Sequence, residues 1–343
     1  MITIKDMAEM LELSTTTVSN VIHGKTKEVS GATVAKVQKL IDEYNYVPNI
    51  NARNLAVNSS KIIGMAIKGS EEKYVNLIAD PFYGELIGTV EHELRKAGFF
   101  MMLYISGSIE EIIRYTSTWN ADGLILVGMS QDDYVKVRQR YKKPTVIIDS
   151  YISEEIARHL NVGLEDEEGA YQMTEYLIKY GHRKIGFVTD NMEGIDYYRY
   201  LGHKRAMKEY MVPAEEDQLI SILPGHLEKE DTLAELMQKA KEVTAFMFCS
   251  DYYAATVINY FQDQGLKVPG DISITGFDGN RYGKMVRPVL TTVCQDVTEK
   301  GRAAVKQLVK MIENQKQEYG NIRLPVELFI GDSVKKVKDP AAS

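Results

Sequence analysis

The sequence predicts an α/β chain: an all-α N-terminal headpiece of helix-turn-helix type, followed by two tandem lobes, each a doubly wound parallel sheet covered by helices. Three observations carry this. The first 48 residues hold three short amphipathic helical patterns. From Lys61 onward, short apolar runs alternate with longer helical stretches, as in parallel sheets buried on both faces. Those runs then repeat in order: KIIGMAI is echoed by RKIGFVT, ADGLILVG by VTAFMFCSD, and PTVIIDS by DISITGFD.

In the headpiece, Ile4, Met7, Ala8 and Leu11 recur at spacings of three and four and define a first helix. The second spans 14 to 23 in LSTTTVSNVIHG, where Ser14 is a suitable N-cap and Gly24 suits a left-handed exit. Thr15, Thr16, Thr17 and Val18 are β-branched, so this helix depends on packing. Val18, Val21 and Ile22 supply its apolar face, which leaves Thr15, Thr16, Ser19 and Asn20 pointing outward. Ser30 caps a third helix with Val34, Val37, Leu40 and Ile41 on one face, ending before Pro48. Three such helices, the second with an exposed row of hydroxyl and amide groups, form a candidate nucleic-acid-binding module.

The whole chain narrows the classes. At 343 residues it holds two or three folded units. No stretch reaches the roughly 18 consecutive apolar residues of a membrane span, and the start lacks the apolar core of a signal peptide, so a cytoplasmic location is expected. Cys249 and Cys294 are the only cysteines and no Cys/His cluster is present, so neither a disulfide framework nor a metal site is expected. Net charge is −7, and the first 60 residues balance six basic against six acidic side chains. A phosphate-binding face must then rely on hydroxyls, backbone amides and a helix N-terminus, with a shallow salt dependence.

Residues 48 to 60, PNINARNLAVNSS, are polar and too short to own a core. They form a linker in which ARNLAV can make two helical turns once stabilised. Beyond it, Asp149, Asp190, Asp251 and Asp278 stand at predicted strand ends. Ligands of such sheets sit beyond those ends, here in the crevice between the lobes.

TIKDMAEM, STTTVSNVIHG, YNYVPNINARNLA, DPFYGELI, ADGLILVG, YLIKYGHRKIGFV, KVPGDISITGFD and VLTTVCQD, in that order, resemble the lactose-repressor (LacI/GalR) family of bacterial transcription regulators over essentially the whole chain. The resemblance implies a homodimer on palindromic double-stranded operator DNA. It also implies a hinge helix that folds on DNA and a regulatory domain like periplasmic sugar-binding proteins, with a small sugar-like effector in the cleft. The corresponding domains are 1–48, 49–60 and 61–343, with lobe 1 at about 61–160 and 291–322 and lobe 2 at about 161–290 and 323–343. Chain crossings are then expected near 161, 290 and 323.

Carried over residue by residue, Thr15, Thr16 and Asn20 are base readers, and Ser14, Thr17 and Ser19 hold phosphates. Thr3, His23, Asn49 and Ala52 join the same DNA-binding set, and Leu55 matches the hinge leucine that wedges into a minor-groove step. For the effector, Arg199 in R-x-x-G matches the arginine that forks onto hydroxyls or carboxylate. Asp149 and Asp278 match acceptors for sugar hydroxyls, and Tyr83 matches a stacking aromatic. Ser250, Asp251 and Gln295 complete the set. Four positions depart from the family pattern: Glu12 replaces a turn glycine, Asn20 a base-reading arginine, Glu165-Asp166 an Asp-Asn pair, and Ser250-Asp251 an Asn-Asp pair.

An enzyme lacks support, since no phosphate-binding G-x-x-x-x-G-K-[ST], no G-x-S-x-G and no metal spacing occurs; GDS at 331–333 has no placed base. No catalytic residue, cofactor or metal is therefore expected. A cytoplasmic solute-binding or sensor protein shares the two-lobed fold but leaves the headpiece without a role. Control by a protein co-regulator is a third alternative. The tail VKKVKDPAAS lacks leucine heptads, so a coiled-coil tetramer is not expected.

Overall fold

The computed structural model describes residues 2–47, 59–69, 76–153, 155, 158–213, 218–223 and 225–337. The chain divides into two compact units, Met1–Ser60 and Lys61–Ser343. Asn49, Ala52 and Leu55 lie outside the described residues.

The first unit contains α1 (Ile4–Leu11), α2 (Thr15–Ile22) and α3 (Gly31–Glu43). Each start is capped. Thr3 and Asp6 form a reciprocal capping box, Ser14 accepts from the Thr17 amide, and Ser30 accepts from the Thr33 amide. Met7, Ala8, Val18, Val21, Val37 and Leu40 make one buried cluster, which holds the β-branched α2 in helical form. Glu12 ends α1 at φ 55°, and Gly24 follows α2 at φ 70°. The third helix stops at Glu43, short of Pro48, because the chain turns out at Asn45, φ 45°, and the Tyr46 amide closes onto the Ile41 carbonyl at 2.9 Å.

The second unit is built on two six-stranded sheets among the described residues. In lobe 1 the strands are β1 (Ile62–Lys68), β2 (Phe100–Ser106), β3 (Gly123–Val127), β4 (Thr145–Ile148), β5 (Leu160–Leu164) and β11 (Gly320–Leu324). In lobe 2 they are β6 (Ile185–Thr189), β7 (Leu219–Ser221), β8 (Ala245–Phe248), β9 (Ser273–Asp278), β10 (Thr291–Cys294) and β12 (Glu327–Phe329). The spatial orders, β11-β5-β4-β3-β1-β2 and β12-β10-β9-β8-β6-β7, are the same arrangement used twice. The sequence echoes therefore join equivalent strands: β1 with β6, β3 with β8, β4 with β9. All pairings are parallel except β10 with β12.

Strand periodicity explains the two cores of lobe 1. Ile63, Met65 and Ile67 face one side with Leu86 and Val90 of α4 (Pro81–Lys96) and Val305 and Leu308 of α12 (Val297–Glu313). Ala66, Leu124 and Leu126 face the other, against Ile112 of α5 (Ile109–Thr118) and Val137 of α6 (Gln131–Arg140). Lobe 2 repeats the scheme. Phe187, Ala245 and Met247 meet α7 (Asp166–Lys179) and α8 (Gly194–Glu209) through Met173, Leu177 and Met207. Val188, Phe246 and Phe248 meet α9 (Glu230–Lys239) and α10 (Asp251–Asp263). The short α11 (Arg281–Met285) follows β9.

The crossings fall later than expected. β5 completes its pairing with β4 and β11 in lobe 1, so the chain first crosses between Leu164 and Asp166, not near 161. β10 belongs to lobe 2, which moves the second crossing from 290 to between Cys294 and Val297, and the third lies between Leu324 and Glu327. Each strand finishes its ladder before the chain leaves its sheet. Ser333 of the GDS sequence is fully buried: its hydroxyl donates to the Ile274 carbonyl at 2.6 Å and accepts from the Thr291 amide at 2.8 Å, a stitch that closes lobe 2. Among the described residues no helix is long and apolar enough to cross a membrane.

Candidate functional site

The headpiece presents one polar face. Val18 and Val21 are buried, Thr15 and Thr16 are exposed, and Ser19 and Asn20 are half-exposed. The Ser14 hydroxyl caps the Thr17 amide at 3.0 Å and lies 2.8 Å from the Thr17 hydroxyl. No acidic residue occupies the first turn of α2, so the positive end of its dipole is not offset by its own side chains. That arrangement suits a phosphate oxygen. Thr3 is exposed but engaged with Asp6 in the capping box, and half-exposed His23 forms the C-cap of α2.

The second site lies where the carboxyl ends of both sheets meet. Arg199 reaches it from α8 because Gly202, one turn later, lets α8 press on α7: a Cβ at Gly202 would stand 1.9 Å from the Glu167 carbonyl oxygen. This is the physical content of R-x-x-G. The Arg199 side chain is 6% exposed, donates from Nε to Asp166 Oδ1 at 2.9 Å and from Nη1 to the Cys249 carbonyl at 2.6 Å, and stacks 3.6 Å above the Phe277 ring centroid. Burial opposes its charge, but Asp166, Asp278 and Asp196 outweigh burial and hold it firmly protonated.

Asp278 ends β9 with φ 123° and accepts from Gln295 Nε2 at 2.8 Å. Burial lifts its carboxyl to about 6, against the pull of Arg199 and Gln295. Gln295 stands on the second crossing, and its Oε1 accepts from Lys300 Nζ at 2.8 Å. Lys300, on α12, contacts both oxygens of Asp149 at 2.8 and 2.6 Å, while burial raises the Asp149 carboxyl. Tyr151 bridges the lobes: its hydroxyl donates to Asp166 and its ring stacks on Tyr198. Beside this bridge, Tyr151, Tyr198, Arg205, Arg323 and residues 164–168 line a cavity of about 270 Å³.

The expected effector residues are thus placed unequally. Asp149, Arg199, Asp278 and Gln295 share this one network. Tyr83 sits partly buried against the lobe 1 core, and its neighbour Phe82 is the ring beneath Lys300, 5.1 Å from the ammonium. Ser250 caps α10 by accepting from the Tyr252 amide at 3.2 Å. Asp251, 0% exposed, accepts from the Thr292 hydroxyl at 2.5 Å and the Asn280 amide at 2.8 Å, so its oxygens brace lobe 2 internally. The sequence patterns do not single out Lys300, Tyr151 or Tyr198. Lys300 lies inside an ordinary amphipathic helix pattern, where a lysine reads as solvated.

Residues 3–49 match the pattern of "Bacterial regulatory proteins, lacI family", and residues 174–334 that of "Periplasmic binding protein-like domain". The HTH-type transcriptional repressor PurR of Vibrio parahaemolyticus is 33% identical over 347 residues, covering 98% of this chain and 100% of the relative. The ribose operon repressor of Haemophilus influenzae is 28% identical over the same shares. The lac repressor dimer bound to operator and the anti-inducer ONPF superposes with a TM-score of 0.82 at 23% identity, over 97% of this chain and 99% of that one, and speaks for the fold. The chain therefore belongs to the LacI/GalR family of bacterial transcription regulators.

Proposed function

We propose that this protein represses transcription from a palindromic operator as a homodimer in the cytoplasm, and that a sugar or sugar derivative between the lobes sets its affinity for DNA. It is a regulator and not an enzyme. The observation that carries the reading is α2: a capped helix whose buried valines turn hydroxyls and one amide outward, joined in one chain to a two-lobed domain with a charged cleft. Thr15, Thr16 and Asn20 approach base edges, while Ser14, Thr17 and Ser19, flanked by Thr3 and His23, hold phosphates. Leu55, with Asn49 and Ala52, acts in the hinge.

On the effector side, Arg199 and Asp278 make the polar contacts, Tyr83 offers a ring, and Ser250 and Asp251 support the wall. A sugar is favoured by structurally similar regulators: one from Enterococcus faecium carries bound ribose and another, CelR, is in complex with cellobiose. The test is a gel shift on a palindromic fragment from the protein's own upstream region, with and without candidate sugars. Wild type should shift the fragment and respond to an effector, and Arg199→Ala should keep the shift and lose the response. Absence of any sequence-selective shift, or an Arg199→Ala chain that responds at the same effector concentration, contradicts the proposal.

A further inference from the structure

Lys300 is an unusual lysine. Its side chain is 0% exposed, although it stands on an α12 whose neighbours Glu299 and Arg302 face solvent. An ammonium has three N–H donors. Here they meet three acceptors: Asp149 Oδ1 at 2.8 Å, Asp149 Oδ2 at 2.6 Å and Gln295 Oε1 at 2.8 Å. The Phe82 ring covers the group at 5.1 Å. α12 packs closely on α4 here: at Gly301, the next residue, a Cβ would lie 2.9 Å from Thr89 Cγ2.

The pairing redistributes the chemistry of the cleft. Asp149, 6% exposed, receives a cation from its own chain on both oxygens. Asp278 is hydrogen-bonded by the neutral Gln295 amide, whose orientation Lys300 fixes by taking its oxygen, and its charge is balanced by Arg199 of its own lobe. Lobe 1 thus contributes a closed ion pair and the Phe82 ring, and lobe 2 contributes the half-buried Asp278 carboxylate and the Arg199 guanidinium.

We propose that Lys300 is a specificity-determining residue of the effector cleft: its ammonium fills, from within the chain, a subsite on Asp149 that would otherwise take a ligand's primary ammonium group. This restricts the effector to molecules without an ammonium at that end. The inference rests on the reading that the effector binds between the lobes.

The test uses the full chain. Lys300→Ala removes Cγ, Cδ, Cε and the ammonium, leaving a cavity that fits n-propylammonium beside an unpaired Asp149. Its melting temperature should fall, and n-propylammonium chloride should restore it in a saturable manner while n-propanol and sodium chloride do not. Asp149→Leu combined with Lys300→Ala should lose the response to the amine, and wild type should show none. If the single variant does not fold alone, the yield of folded chain on refolding in amine against alcohol gives the same comparison. Equal rescue by propanol, or an undiminished amine response in the double variant, overturns the proposal. Pairs of neutral sugars and their 2-amino counterparts, tested on wild type and Lys300→Ala, should show preference moving to the aminated member; an unchanged preference also overturns it. If no sugar shifts either chain, the sugar effector is what fails, and the propylammonium comparison still decides the role of Lys300.

Discussion

Tyr151 stacks on Tyr198 across the cleft, with ring centroids 4.1 Å apart and planes at 24°. One ring follows β4 of lobe 1 and the other belongs to α8 of lobe 2. The Tyr151 hydroxyl also donates to Asp166, whose other oxygen accepts from Arg199. One buried carboxylate therefore joins the contact between the lobes to the placement of the Arg199 guanidinium.

Tyr151→Phe separates these two contributions. The variant keeps the stacked ring and loses a hydrogen bond to a charged group, about 1.5 to 3 kcal/mol. Tyr151→Ala should cost a further 0.5 to 1.5 kcal/mol, approximately, from the lost ring pair. Urea denaturation of the full chain measures both; equal midpoints for wild type and Tyr151→Phe would show that the bridge to Asp166 contributes nothing.

Glu12 holds a left-handed conformation, φ 55° and ψ 38°, where side chains with a Cβ are disfavoured by roughly 1 to 2 kcal/mol. Glycine removes that penalty but loses about 0.5 to 1 kcal/mol through greater freedom in the unfolded chain. Glu12→Gly should stabilise the headpiece by about 0.5 to 1 kcal/mol, read from amide exchange in α1 and α2. Faster exchange in the variant would mean that Glu12 makes a stabilising contact outweighing its backbone cost.

Asp278 gives the protein a pH dependence. Its carboxyl is lifted from 3.8 to about 6, chiefly by burial, and buried Asp251 beside it is pushed up as well. Between those values the folded chain retains a proton that the unfolded chain has released. The stability contributed by Asp278 is therefore full below about 4 and falls as pH rises toward 6. Effector binding runs the other way: a ligand hydroxyl donating to Asp278 favours the ionised form, so affinity should increase from pH 5 to about 7 and then level. Asp278→Asn should flatten that profile in a calorimetric titration, and a profile that persists unchanged places the titrating group elsewhere.

The helical caps, the headpiece core and the repeated strands were legible in the sequence, because caps and periodicity are local signals. Ser14, Val18 and the KIIGMAI echo needed no tertiary knowledge. The strands at the crossings were not legible: β5 is LNVGL and β11 is GNIRL, short and partly polar, without the apolar run that marks a central strand. The cleft was legible in part. Asp149, Arg199 and Asp278 stand at strand ends or in a motif, but Lys300 acquires its role from Asp149, 151 residues away in the chain. Asp251 shows the converse, a strand-end carboxylate turned inward by Thr292 and Asn280.

Asn20 decides whether α2 reads the operator. Its half-exposed amide lies on the outward face of α2, where family members carry an arginine, and an asparagine amide complements adenine N7 and N6 as an arginine fork complements guanine O6 and N7. Half-sites selected from a randomised palindrome with wild type and with Asn20→Arg should differ at one symmetric position, A·T giving way to G·C with a swing of about 1 to 3 kcal/mol. Arginine that strengthens binding to every sequence and steepens the salt dependence by about one phosphate would make Asn20 a backbone contact. Selected sites that do not differ, with an unchanged salt dependence, would contradict the docking of α2 on the operator.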